Sequence, residues 1–249
     1  MLTRAFAAVL IGICLHVSGL RAADYTILNE YPHDPEAYTQ GLVVHAGRLY
    51  EGTGLYGHSE VREVDLSSGA VVRHRALPKS LFGEGVTVLD GHIYQLTWRA
   101  GAALSYRLED FEPAKVFHYA GEGWGLTTDG TRLIMSDGSA WIRFIDPSSF
   151  TELDRVLVHD GTGPVDKLNE LEYVAGLIYA NVYQSGAIVE IEATSGRVQR
   201  RIDFEAVVEG ERVRNRQAEV LNGIAYDERS NTFLVTGKRW SRLLEIRLD

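Results

Sequence analysis

The sequence predicts an all-β protein, a five-bladed β-propeller, on three observations. First, five short segments share one layout: Gln40-Gly41, Glu84-Gly85, Trp124-Gly125, Asn169-Glu170 and Asn222-Gly223. Second, each opens a stretch that reads as a β-hairpin, with turn residues at the same place. Third, the last unit is one strand short, while an unassigned strand precedes the first.

The units follow in order. In the first, Leu42–Val44 and Arg48–Tyr50 flank an Ala46-Gly47 turn, and Val61–Asp65 and Val72–Ala76 flank Ser67-Ser68-Gly69. The second pairs Val86–Val88 with His92–Tyr94 across Asp90-Gly91, then Leu104–Leu108 with Lys115–Tyr119. The third turns at Asp129-Gly130 and continues with Trp141–Ile145 and Leu153–Val158. The fourth turns at Ala175-Gly176, then pairs Ile188–Ile191 with Val198–Phe204 across Thr194-Ser195-Gly196. Glycine supplies the positive φ that such turns demand. The fifth has Ile224–Tyr226, Thr232–Val235 and Leu243–Leu248, and no fourth strand. Tyr25–Tyr31 has the length and placement to supply it and so close the ring, because an open propeller leaves unpaired edges. A β-sandwich is the competing architecture, but it has no need of five equivalent hairpins.

Residues 1–23 read as a secretory signal peptide: Arg4, an apolar run from Ala5 to Leu15, then small residues with cleavage after Ala22 or Ala23. The apolar run is short for a membrane span. Residues 24–249 then form the propeller domain, and the mature protein is expected to be exported, to the periplasm or the medium, off the membrane, and monomeric. The single cysteine, Cys14, falls in the leader, so the mature chain has neither a disulfide nor a thiol nucleophile. Loss of Arg4 and Arg21 leaves 23 basic against 34 acidic residues, a net charge of −11. Nucleic acid is a poor partner for that balance.

Ring symmetry turns the repeat into chemistry. The first residue of each pair opens the innermost strand of its blade. A second column, Gly54, Trp98, Gly138, Tyr183 and Lys238, ends the antiparallel neighbour. Both columns therefore meet at one mouth of the channel, although the fifth turn is two residues longer than the others. Glu84, between Gly83 and Gly85 and close to Phe82, Trp98 and Trp124, would be desolvated, which favours its neutral form and suits a proton carrier near pH 7. A solvated turn glutamate is the plainer alternative. Lys238 is either a loop lysine or a group that stabilises a carbonyl oxygen and tunes Glu84. Gln40 and Asn169 can each donate and accept, as an amide substrate or an oxyanion requires, or could merely satisfy strand ends. Trp98, Trp124, Tyr183 and Phe82 would wall a pocket or pack as core. Asn222 is the member of the column expected to be structural. No Gly-x-Ser-x-Gly, His-Glu-x-x-His, calcium loop or phosphate loop appears. The chemistry is thus expected to need no metal, cofactor or covalent nucleophile.

Seven stretches carry a resemblance: Tyr31-Pro32-His33-Asp34 with Tyr38-Thr39-Gln40-Gly41-Leu42; Phe82-Gly83-Glu84-Gly85; Leu96-Thr97-Trp98; Gly121–Leu126; Leu168–Glu172; Leu221–Tyr226; and Thr236-Gly237-Lys238. Together they resemble, in order and over nearly the whole mature chain, the plant and bacterial glutaminyl cyclase (glutamine cyclotransferase) family. The resemblance implies a five-bladed propeller that converts N-terminal glutamine of peptides and proteins into pyroglutamate with release of ammonia, an aminoacyltransferase. It also implies an acid/base role for Glu84 and site roles for Gln40, Trp98, Trp124, Asn169 and Lys238. Tyr183 stands where the family usually carries Trp, and Tyr38 where Phe is more usual. Two rival readings are a metal-dependent propeller hydrolase or lactonase and a non-catalytic propeller that binds peptides or sugars. One acid beside one lysine is a poor cation site, and a binding module has no need of that pair.

Overall fold

The computed structural model describes residues 25–249; the leader read over residues 1–23 lies outside them. Twenty strands form five four-stranded antiparallel sheets. Blade one comprises β2 (Thr39–His45), β3 (Arg48–Thr53), β4 (Glu60–Val64) and β5 (Val71–Ala76). Blade two comprises β6 (Gly83–Leu89), β7 (His92–Thr97), β8 (Ala102–Arg107) and β9 (Pro113–His118). Blade three is β10 (Leu126–Thr128), β11 (Leu133–Ser136), β12 (Trp141–Ile145) and β13 (Glu152–Leu157). Blade four is β14 (Leu168–Val174), β15 (Leu177–Val182), β16 (Ala187–Glu192) and β17 (Val198–Asp203). Blade five takes β18 (Leu221–Asp227), β19 (Thr232–Gly237) and β20 (Arg242–Leu248), with β1 (Tyr25–Pro32) as its outer strand. The pairing of β1 with β20, from Tyr25 opposite Leu248 to Pro32 opposite Arg242, closes the ring as expected. Five separate sheets exclude the sandwich.

The inner turns have the chemistry read from the sequence. Ala46-Gly47, Asp90-Gly91 and Ala175-Gly176 all have positive φ at both residues, from 49° to 92°, the geometry of two-residue hairpins whose twist matches the strands. The apolar core is divided into five clusters, each between neighbouring blades. Leu42, Leu49 and Val64 meet Ala225, Leu234 and Leu243 between blades one and five, for example. Each leucine or valine among them contributes about 1.5–3 kcal/mol on burial. Neither face of a blade is left open, so the ring must be complete to be stable.

One element was not anticipated. Helix α1 (Glu205–Arg214) lies between β17 and β18. No side chain caps its start at Phe204, and Gly210 interrupts its interior, so the usual helix signals are missing. The helix is held by tertiary contacts. Glu211 is fully buried and accepts hydrogen bonds from Ser241 and from Arg242, while Asn215 Nδ2 donates to Arg239 O at 2.7 Å. It thereby fixes the segment that follows Lys238.

The axis of the ring is polar. Four of the five opening pairs carry glycine as their second member; the fourth blade carries Glu170 instead. Its carboxylate accepts from Leu42 N (3.1 Å) and Ile224 N (2.6 Å), tying blade four to blades one and five. Burial, reinforced by Glu172, pushes its pKa well up. Glu172 accepts from Tyr226 N (2.9 Å) and Thr127 Oγ1 (3.0 Å), and burial raises it to about 7. An unfolded glutamate titrates near ~4.3, so the folded protein binds this proton more tightly. That contribution is complete below ~4.3 and is lost as the pH climbs through about 7. The Glu172→Gln variant should therefore gain stability over the parent as pH rises from ~4.5 to ~8, by up to ~3 kcal/mol in urea unfolding. A pH-independent difference would contradict the assignment.

Candidate active site

The inner strands bulge where they open. Register shifts fall between Thr39 and Gly41, Gly83 and Val86, Leu168 and Leu171, and Leu221 and Ile224. Bulges re-aim side chains, and here they turn Gln40, Glu84 and Asn169 into a cavity of about 190 Å³ at one mouth. In blade three, Trp124 occupies the corresponding place just ahead of β10. The second column supplies Trp98, Tyr183 and Lys238, and Phe82 completes the set. All eight residues singled out in the sequence line this one cavity. Tyr38 lines it too.

The two glycines of the second column now have a reason. A Cβ on Gly138 would lie 2.7 Å from the Trp124 ring, and one on Gly54 would lie 2.4 Å from Phe82. They leave the room that the aromatic walls occupy. Phe82 packs edge-on to Trp98 (5.5 Å) and Tyr38 (6.2 Å), and Trp124 edge-on to Tyr183 (5.5 Å).

Within these walls the polar groups are ordered. Asn222 Nδ2 donates to Thr39 O (3.0 Å) and to Gln40 Oε1 (3.2 Å). The Gln40 amide nitrogen is thereby turned to donate to Glu84 Oε1 at 3.0 Å. Asn222 does not line the cavity; it sets the amide that does. Asn169 Oδ1 is buried without a partner, an acceptor left for a ligand. The Lys238 ammonium sits 4.8 Å from the Tyr38 ring centre and 5.3 Å from that of Tyr183, over their faces.

Glu84 and Lys238 are 4% and 3% exposed, and that burial dominates their titration. Desolvation pushes the Glu84 carboxyl well above the carboxylate range; Lys238 opposes this and Glu122 adds to it. Desolvation likewise lowers the Lys238 ammonium, with Glu84 and Glu219 pulling the other way. Both groups are thus shifted toward their neutral forms, which makes proton exchange cheap in either direction.

The segment ahead of Gln40 is locked by a buried ion cluster. Glu51 accepts from Thr39 Oγ1 (2.7 Å), from Arg62 Nε (2.9 Å) and from His33 Nε2 (3.1 Å). Burial would raise its pKa, but Arg62 and His33 outweigh that and hold it at about 2. His33 Nδ1 also lies 2.8 Å from Trp240 O, so the cluster joins the strand of Gln40 to the loop of Lys238.

Three residues at the site were not singled out from the sequence: Tyr38, Glu122 and Glu219, whose Oε2 accepts from the Tyr38 hydroxyl at 3.1 Å. A signal existed for the first two. Tyr38, Phe82 and Glu122 each stand two residues ahead of a first-column member, a third column that rings the same mouth. The opposite mouth holds a wider opening of about 890 Å³, lined by the inner hairpin turns. Its lining has Tyr173 and Tyr226 but no tryptophan, and its Arg229 is exposed and already paired with Asp227 at 2.9 Å. Among the described residues no three His, Cys, Asp or Glu side chains gather as metal ligands.

Removing the Lys238 charge should raise Glu84 further. In a Lys238→Met variant, the ¹³C carboxyl signal of Glu84 should titrate at higher pH than in the parent. An unchanged midpoint would show that the two groups do not sense one another.

The family model for glutamine cyclotransferase matches residues 3–248. A glutaminyl-peptide cyclotransferase of Arabidopsis thaliana is 38% identical over 232 residues, 92% of this chain and 72% of the plant protein. The crystal structure of Myxococcus xanthus glutaminyl cyclase superposes with a TM-score of 0.84 at 36% identity, covering 90% of this chain and 96% of that one. Kuenenia stuttgartiensis hydrazine synthase, at 14% identity and a TM-score of 0.50 over 89% of this chain and 58% of that one, shares the fold alone. A ring of five blades with these residues at its mouth, and matches of this extent, lead to one conclusion: the chain belongs to the glutamine cyclotransferase family.

Proposed function

We propose that the cavity cyclises the N-terminal glutamine of peptides and proteins to pyroglutamate with release of ammonia, with Glu84 as the group that carries the proton. The observation that supports this best is a buried carboxyl, raised well above its ordinary range, facing a buried lysine within aromatic walls. The substrate brings its own nucleophile, the α-amine, and its own electrophile, the γ-carboxamide. The α-nitrogen bonds to the γ-carbonyl carbon and the carbon–nitrogen bond of the carboxamide breaks. The amine gives up a proton to the Glu84 carboxylate, and the resulting acid returns it to the departing nitrogen, which leaves as ammonia. Atoms and charge balance without a cofactor.

Each neighbour has a matching task. The Gln40 amide, oriented by Asn222, holds Glu84 in place. Asn169 Oδ1 is a free acceptor for an N–H of the substrate. Lys238 can stabilise negative charge on the carboxamide oxygen as the tetrahedral intermediate forms. The aromatic walls hold amine and carbonyl together, and orientation of this kind can supply about 7–11 kcal/mol. They also exclude water, which would yield glutamate in place of the ring. A cavity of about 190 Å³ suits one glutaminyl residue, with the rest of the peptide outside.

Export through the leader at residues 1–23 belongs to the same proposal, and the mass of the mature N-terminus reads it directly. Among the described residues no helix is long and apolar enough to cross a membrane.

Replacing Glu84 by Gln preserves the shape and the Gln40 contact but removes the proton carrier. Ammonia release from a glutaminyl peptide should fall ~10²–10⁴-fold, while peptide binding stays within a few-fold. A variant that cyclised at near the parent rate would remove Glu84 from this role.

A further inference from the structure

Glu122 sits at the rim of the cavity, between Gly121 and Gly123, and makes three contacts. One carboxylate oxygen, Oε2, accepts from both indoles, Trp98 Nε1 at 2.8 Å and Trp124 Nε1 at 3.0 Å. The other, Oε1, accepts from Arg99 Nε at 3.0 Å, and the Arg99 guanidinium lies 3.8 Å from the centre of the Trp98 ring. The two tryptophans come from different blades. Trp98 follows β7, whereas Trp124 precedes β10. A single carboxylate therefore joins the two walls across a blade boundary.

The loop that carries Glu122 has little freedom. Gly123 N donates to Trp98 O at 3.0 Å. A Cβ on Gly123 would fall 2.2 Å from the Tyr119 hydroxyl oxygen, so no larger residue fits there unless Tyr119 moves. Each wall continues into the cavity. Trp98 packs against Phe82, and Trp124 packs against Tyr183, whose face carries the Lys238 ammonium. A tilt of either indole would reach the groups that face the substrate.

We infer that Glu122 is a positioning residue for catalysis, clamping both tryptophan walls so that they hold amine and carboxamide in ring-closing geometry; this rests on the cyclotransferase reading of the pocket. Exposed ion pairs such as the one with Arg99 contribute little by themselves. Two indole N–H groups on one anionic oxygen are charge-assisted bonds, which fix geometry more firmly. Burial disfavours the charge on Glu122, but the bonds from Trp124, Arg99 and Trp98 outweigh this and keep its carboxyl ionised. The charge has a second consequence. The ionisable groups that act on Glu84 are Lys238, which lowers its pKa, and Glu122, which raises it. Tyr38 and Tyr119 in turn feel the Glu84 charge.

Two variants separate clamp from charge. Glu122→Ala removes the acceptor. The ¹H–¹⁵N indole signals of Trp98 and Trp124 should move while those of Trp141 and Trp240 stay. kcat on a glutaminyl peptide should fall ~10-fold or more, with KM changing less. Glu122→Gln keeps an oxygen for the indoles and removes the charge. Its kcat at the optimum should stay within about threefold, and the inflection of kcat/KM that reports Glu84 should move to lower pH by about half a unit or more. Immobile indole signals in Glu122→Ala would overturn the clamp. So would mobile signals with kcat unchanged within about twofold. An unshifted inflection in Glu122→Gln would overturn the role of the charge, and this variant carries the test if Glu122→Ala does not fold. A parent enzyme silent on the peptide would fault the proposed activity instead, and the indole signals would still decide whether Glu122 holds both rings.

Discussion

The constraint on which this molecule depends is the close approach of its five innermost strands. At Gly41 a Cβ would lie 2.3 Å from Val86 N; at Gly85, 2.5 Å from Leu126 N; at Gly125, 2.0 Å from Asn169 O. No side chain can stand at these three positions. The column next to the glycines is then the place where side chains can converge, and the bulges turn them toward the mouth. One geometric requirement, a ring tight enough to exclude Cβ atoms, thus produces both the stable axis and the converging site.

Where glycine is absent the ring compensates. Glu170 fills its place in blade four and accepts backbone N–H groups from blades one and five, which offsets the looser contact. At the mouth, Glu84 and Lys238 are almost completely shielded from solvent. A wet cavity would leave Glu84 and Lys238 at their ordinary pKa values and well solvated. Between aromatic rings, burial moves both toward neutrality, and a proton can then pass without the cost of creating an isolated charge. The aromatic walls that shield the acid fit against Gly54 and Gly138, which follow the second strands of blades one and three.

Much of this was legible in the sequence because a propeller repeats. Asp90-Gly91 and Ala175-Gly176 announced their turns through local φ requirements, and the unpaired Tyr25–Tyr31 announced closure through the missing fourth strand of the last unit. Glu84 and Lys238 stood out because symmetry placed them together despite a separation of 154 residues. What the sequence concealed depends on tertiary contact. Helix α1 has no cap and an internal glycine, and exists because Glu211 and Asn215 reach across to the segment after Lys238. The dual grip of Glu122 on two indoles, and the turning of the Gln40 amide by Asn222, are side-chain geometries that no spacing reveals. Asn222 shares a column with Gln40 and is its member read as structural; it lies behind the Gln40 amide.

In the proposed reaction the γ-carboxamide and the α-amine of one glutaminyl residue both meet residue 84 inside the walled cavity. The most direct measurement is a crystal structure of the Glu84→Gln variant with an uncleaved glutaminyl peptide. The first residue of the peptide is expected between Trp98 and Trp124, with its α-nitrogen and its carboxamide nitrogen each within hydrogen-bond reach of the side chain at 84. A peptide seated at the opposite mouth, or with its carboxamide turned away from residue 84, would contradict it.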